Sequence, residues 1–211
     1  MIKNFAVASV FALIGMCWVA ASAWASSQKF ETTSTPLALG KGVHVQKVTF
    51  PNKAITVVGN LFTPADYDSS KKYAAIVITH PGGGVKEQTA GLYAERLAQK
   101  GFITLAYDAS YQGESGGEPR FIEDPATRVE DIRSATDFLS NHPAVKSVGA
   151  LGICAGGGYT VHAAQTEARI KAVATISAVD SGRTRREGIG GTMTDESRNK
   201  VLEEVGRQRT I

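Results

Sequence analysis

Gly152-Ile153-Cys154-Ala155-Gly156 sets a cysteine between two glycines at the end of an apolar run. The pattern G-x-C-x-G suits a nucleophile carried on a tight strand-to-helix turn. Side chains two residues before or after it would clash as the two elements close on each other. The context fits: residues 147–154 read as an apolar strand, and an Ala/Gly-led helix follows over 155–168. The sulfur then meets a helix N-terminus, whose unpaired N–H groups favour an anion. The competing reading is a small buried thiol in a turn where glycine only permits close packing.

Acyl transfer also needs backbone N–H donors aimed at a developing oxyanion. Ala155, directly after the cysteine, supplies one. Thr79-His80-Pro81-Gly82-Gly83-Gly84 closes an earlier apolar strand and resembles an oxyanion-hole turn of the His-Gly type. Pro81 has no N–H, so the second donor comes from Gly82, with Gly83 adjacent. The plainer alternative is an ordinary glycine-rich loop. His80 reads as a residue that shapes this loop rather than as a base. The polar stretch 107–117, YDASYQGESGG, follows another strand and reads as the lining of a substrate entrance.

From about residue 43 to 178 the chain resembles an α/β-hydrolase of the dienelactone-hydrolase-related group. HPGGG, YDASYQGESGG and LGICAGGGY follow that group's pattern in order and spacing. The 107–117 stretch is similar to a loop common in α/β-hydrolases, with Tyr111-Gln112 where an arginine is usual. The resemblance implies a cysteine nucleophile at Cys154 and an acyl-enzyme formed from an ester, lactone or thioester. It implies no metal and no organic cofactor. Its partner is a small ester-like molecule.

In α/β-hydrolases the acid and histidine follow the nucleophile along the chain. After Cys154 there is one histidine, His162. It stands eight residues into the helix, about 12 Å along the axis, beyond the roughly 3 Å of a hydrogen bond. His44, in an edge strand, and His142, at a helix end, have no better claim. Asp180, after the sixth strand, sits where some relatives place the acid; the alternative is a loop or helix-cap aspartate. Measured against the resemblance, the chain stops about two strands short. A fragment or frameshifted product, a natural short form, and completion by a partner chain all account for that. Three functions stay open: a hydrolase acting through Cys154, a non-catalytic pseudo-enzyme or binding module, and a prolyl-peptidase-like hydrolase. The last normally carries serine at the elbow.

The elements that position these residues alternate. Residues 43–50 and 54–64 read as an antiparallel pair with Pro51-Asn52 as the turn. Strands follow at 72–80, 102–108, 147–154 and 171–178. Helices fall at 88–100, with Leu92, Tyr93 and Leu97 on one side, and after Asp124-Pro125, where Val129, Ile132, Thr136 and Leu139 recur at helical spacing. A last helix spans about 195–208. Strands alternating with helices predict an α/β fold: a mostly parallel sheet, helices on both faces, ending after about the sixth strand, with an open edge.

The 211 residues, 43% hydrophobic and 20% charged, fit one globular domain. A net charge of +3 gives no case for nucleic acid or an anionic membrane. Residues 1–25 have the layout of a secretory signal peptide: Lys3, an apolar stretch, then Ala23-x-Ala25. A retained anchor is the alternative. Cleavage near Ala25 removes Cys17 and leaves one cysteine, in a periplasmic or secreted protein with no stable membrane association. Residues 26–42 read as a flexible lead-in and 43–211 as the hydrolase domain.

Overall fold

The computed structural model describes residues 42–210. The leader expected at 1–25, and all but the last residue of the lead-in, lie outside them. Strands β1 (His44–Asn52) and β2 (Ile55–Thr63) form an antiparallel hairpin, from His44 opposite Thr63 to Asn52 opposite Ile55. The turn is Lys53-Ala54, not Pro51-Asn52. Asn52 is drawn into the sheet because its side-chain amide donates to Asp131 at 2.6 Å, and Lys53 takes the positive φ (52°) that a two-residue hairpin turn demands. Pro51 is tolerated because β1 is an edge strand.

Strands β3 (Tyr73–Thr79), β4 (Ile103–Tyr107), β5 (Val145–Ile153) and β6 (Ile170–Ile176) complete a six-stranded sheet ordered β1-β2-β4-β3-β5-β6. Neighbours among β4, β3, β5 and β6 are parallel. Every residue of β4 is buried, as a strand covered on both faces requires. Val77, Leu105 and Ala150 face one buried cluster, while their neighbours Ile78, Ala106 and Leu151 face the other. The helices accordingly divide between two layers.

On one face lies α1 (Gly91–Ala98), entered through a π-helical turn at Lys86–Ala90. Leu92, Tyr93 and Leu97 are only half-buried; Gly91, Ala94, Glu95 and Ala98 carry the contact. Small residues let the helix lie close to the sheet, and the bulky ones fall to its flanks. On the other face lie α2 (Pro125–Ser140) and α3 (Ala155–Ala164). Asp124 caps α2, its carboxylate accepting from the Thr127 N–H at 3.0 Å, and Val129, Ile132, Thr136 and Leu139 are all buried. Helix α3 stops four residues before the expected 168. The N–H groups of Thr166 and Glu167 turn back to the Ala163 carbonyl, and Glu167 is held by Arg169.

A short helix that sequence reading did not find, α4 (Ser181–Glu187), precedes α5 (Asp195–Gln208). Arg183 and Lys200 are exposed and pair within their own helices, with Glu187 and Glu196. In α5, Val201, Leu202 and Val205 are 54%, 60% and 48% exposed. Val173 on β6 is 42% exposed. Among the described residues, no helix is long and apolar enough to cross a membrane.

Candidate active site

The chain runs from β3 to β4 on one side, then crosses back past β3 to β5. The strand order therefore reverses between β3 and β5, and the loops leaving their carboxyl ends diverge around a crevice, the usual ligand position in an open α/β sheet. The β3 loop is His80–Gly84 and the β5 loop is Cys154.

Cys154 joins β5 to α3 with φ 56° and ψ −123°, a region that side-chain-bearing residues avoid. Its backbone is pinned on both sides. The N–H donates to the Ile176 carbonyl at 2.9 Å, and the carbonyl accepts from Gly157 at 2.9 Å and Val179 at 3.0 Å. Flanking glycines make the turn feasible. A Cβ on Gly152 would collide with the Gly156 carbonyl and stand 2.6 Å from the Gly157 Cα. A Cβ on Gly156 would stand 2.5 Å from the His80 carbonyl oxygen and 2.6 Å from that of Thr79. The elbow thus packs directly on the end of β3. The thiol is half-buried.

Across from it, the Gly84 N–H closes a turn onto the Pro81 carbonyl at 3.0 Å, with Gly83 at φ 67°. Gly82 and Gly83 form its crest. A Cβ on Gly82 would stand 3.6 Å from that of Ala155. The two residues read as oxyanion donors therefore face each other at the head of α3.

His80 is fully buried. The Ala109 N–H donates to its Nε2 at 3.0 Å, so the ring proton sits on Nδ1, which donates to the Pro81 carbonyl at 2.6 Å. Burial, then the nearby Arg128 guanidinium, pull its pKa down to about 4. The imidazole is neutral and occupied in shaping the turn. His162 is exposed on α3. His44 and His142 border a cleft of about 310 Å³ whose lining includes neither Cys154 nor the turn. Asp180 caps α4, accepting from the Arg183 N–H at 2.8 Å. Among the described residues, no cluster of His, Cys, Asp and Glu could hold a metal ion.

The 107–117 loop is fixed to the turn by ionic contacts that sequence reading missed. Asp108 accepts from the Lys86 N–H at 2.8 Å and from its ammonium at 2.7 Å, both side chains being buried. Lys86 also reaches Glu114 at 2.6 Å and Glu87 at 2.7 Å. Burial opposes the Lys86 charge, but the hydrogen bonds to Asp108, Glu114 and Glu87 outweigh it and raise its pKa. Lys47 and Lys86 hold the Glu114 carboxyl down at about 2. Asp131 accepts from the Ser110 N–H at 2.9 Å, its hydroxyl at 2.6 Å and the Asn52 amide. Burial pushes the Asp131 carboxyl up despite these bonds. Arg128 was also missed. Its signal was available: with Ile132, Ala135 and Leu139 it continues the buried stripe of α2.

A model of the S33 family, described as serine aminopeptidase, matches residues 70–187, more than half of the chain. The chain belongs to this family of α/β-hydrolases. Where the family's description names a serine, this member carries Cys154 at the elbow. The Escherichia coli K12 protein YcjY is 53% identical over 147 residues, covering 67% of this chain and 48% of YcjY. Pseudomonas aeruginosa PA2218 is 42% identical over 174 residues, 81% of this chain and 47% of PA2218. The crystal structure of PA2218 superposes with a TM-score of 0.79 at 38% identity, over 86% of this chain and 57% of that one. The thiohydrolase aneE of Aspergillus aculeatus is 27% identical over 128 residues, 60% of this chain and 40% of aneE. The chain spans about half the length of the curated relatives it matches.

Proposed function

We propose that this α/β-hydrolase cleaves esters, lactones or thioesters of small molecules through a covalent acyl-enzyme on Cys154, and that it acts outside the cytoplasm after cleavage of its leader near Ala25. The backbone of Cys154 carries the reading. A non-glycine residue at φ 56° and ψ −123° costs on the order of 1–3 kcal/mol, and a buried packing thiol gives no return for it. The same strain presents a nucleophile at the head of α3 opposite Gly82.

In this mechanism the Cys154 sulfur, as thiolate, adds to the carbonyl carbon and the π electrons move to oxygen. The Gly82 and Ala155 N–H groups hold the oxyanion, with Gly83 next to them. Collapse restores the carbonyl and breaks the bond to the leaving oxygen or sulfur, an oxygen leaving group taking a proton from water as it departs. A second water hydrolyses the acyl-cysteine, giving the acid and the free thiol. Asp180 remains a helix cap in this scheme, and the chemistry uses no cofactor.

The family description favours a second reading, a peptidase. Amide cleavage requires protonation of the leaving amine, the work of a histidine in a triad. Among the described residues His80 is committed to Ala109 and Pro81, whereas aryloxide and thiolate leaving groups depart with little need of such a proton donor. The thiohydrolase name of aneE supports a thioester within that class. The test is a stopped-flow burst with p-nitrophenyl acetate, beside an S-aryl thioester and a peptide p-nitroanilide. A stoichiometric burst with both activated acyl donors, lost in Cys154→Ala, is expected. Equal release by Cys154→Ala points to a binding module, and release from the anilide alone points to a peptidase.

A further inference from the structure

Arg128 lies in the first turns of α2 with a side chain only 2% exposed. Burying a guanidinium is costly unless its hydrogen bonds are well used. An aliphatic side chain would serve on the stripe that Ile132, Ala135 and Leu139 continue. The partners of this cation are therefore informative. Nη2 donates to the His80 carbonyl at 2.7 Å, and Nη1 stands 3.0 Å from His80 Nε2. The guanidinium carbon lies 5.3 Å from the Tyr159 ring centroid, within cation–π range. Nε is 3.6 Å from Glu123 Oε1, and neither of those atoms has a hydrogen-bond partner among the described residues.

Two of these partners, His80 and Glu123, adjoin the elbow and the glycine turn. The His80 carbonyl is the atom against which Gly156 packs. Tyr159 stands on α3, five residues after Cys154. Glu123 Oε1 lies 3.7 Å from where a Cβ on Gly82 would stand. The pairing with Glu123 is long, so the ion pair alone does not account for the buried charge. The short bonds go to His80, the residue from which the Pro81–Gly84 turn departs.

We propose that Arg128 is a positioning residue for the oxyanion hole: by gripping the carbonyl and ring of His80 it sets the Pro81–Gly84 turn so that the Gly82 N–H faces the Cys154 sulfur. The inference rests on the acyl-enzyme reading above.

Two reactions of the same sulfur separate this role from a general structural one. Attack on p-nitrophenyl acetate builds an oxyanion. Alkylation by iodoacetamide forms the S–C bond as iodide leaves, without any oxyanion. In the full chain, Arg128→Met should slow the acetate burst about 10- to 100-fold, below the loss for deleting an oxyanion donor outright. KM for the ester and the iodoacetamide rate should stay within about twofold. Arg128→Lys, which keeps the charge and a single donor nitrogen but loses the fork, should recover part of the burst rate, and it carries the test if Arg128→Met fails to fold. An unchanged burst rate in a folded variant, or alkylation that slows in step with the burst, overturns the proposal. If the wild-type chain gives no burst at all, the acyl-enzyme reading fails first and this one falls with it.

Discussion

Lowering the pH from about 7 to about 5 should remove about 2 kcal/mol of folding free energy, and His80 should carry most of that loss. Its pKa drops from 6.5 to about 4, first through burial and then through Arg128. Above pH 6.5 the ring is neutral in both folded and unfolded chains. As the pH falls, the unfolded chain takes up the proton first, while the folded ring resists because it is buried and faces the Arg128 guanidinium. Stability is therefore fully present above about 6.5, is lost through the window down to about 4, and changes no further below it. The full loss is about 3 kcal/mol, of which about 2 kcal/mol falls by pH 5. That is a large share of the roughly 5–15 kcal/mol that holds a domain together. Glu114 and Glu167, held at about 2, contribute stability that is lost only as the pH falls below about 4.5 towards about 2. Burial also lowers the pKa of His142, with the same sign, and raises that of Asp131, with the opposite one. Urea unfolding followed by circular dichroism, in a His142→Asn, Asp131→Asn background, isolates the effect. An NMR titration of the His80 ring carbon checks it directly. A ring that titrates near 6.5, or equal stability at the two pH values, refutes the assignment of His80 as a buried neutral donor.

Gly156→Ala should cost more than about 2 kcal/mol, because its Cβ would meet only backbone carbonyls at 2.5 and 2.6 Å. Gly82→Ala, whose nearest atoms lie at 3.6 and 3.7 Å, should stay within about 0.5 kcal/mol of wild type. Urea midpoints of the two variants measure both, and equal losses would remove the argument for a tight elbow. Lys86→Met leaves the buried Asp108 without its cation and should cost about 3–5 kcal/mol. Adding Asp108→Asn should recover part of that loss, and a double-mutant cycle by chemical denaturation gives the coupling.

What the sequence disclosed was local. The runs that became β3, β4 and β5 are apolar without alternation, so their burial on two faces is written into each segment alone. The elbow and the proline-glycine turn were legible for the same reason, since their glycines answer to neighbours a few residues away. The rest depended on distant partners. Asn52 belongs to β1 because Asp131 holds it, 79 positions later, and that tie moves the hairpin turn to Lys53-Ala54. Arg128 falls on the buried stripe of α2, but what it holds there shows only when His80, 48 positions earlier, is brought beside it. Helix α4 has no apolar face to betray it; its one signal was the Asp180 cap.

The two loops at the crevice are held by different means, and the difference follows from their composition. The β5 loop is held by backbone bonds: Cys154 donates to β6 and accepts from Gly157 and Val179, so its strained geometry survives most side-chain changes. The β3 loop is a proline and three glycines, with one backbone bond closing the turn. Such a segment loses much conformational entropy on ordering and has no side chains of its own to repay it. Its geometry must come from residues on either side, namely His80 before it and Lys86 after it, and both are buried. Arg128 and Asp108 are the counterparts that hold them. A cluster of buried charges is a costly way to stabilise a fold, but it is a direct way to fix a glycine turn opposite a sulfur. Changes in this network should therefore register in the rate of acyl transfer more sharply than in the reactivity of the thiol.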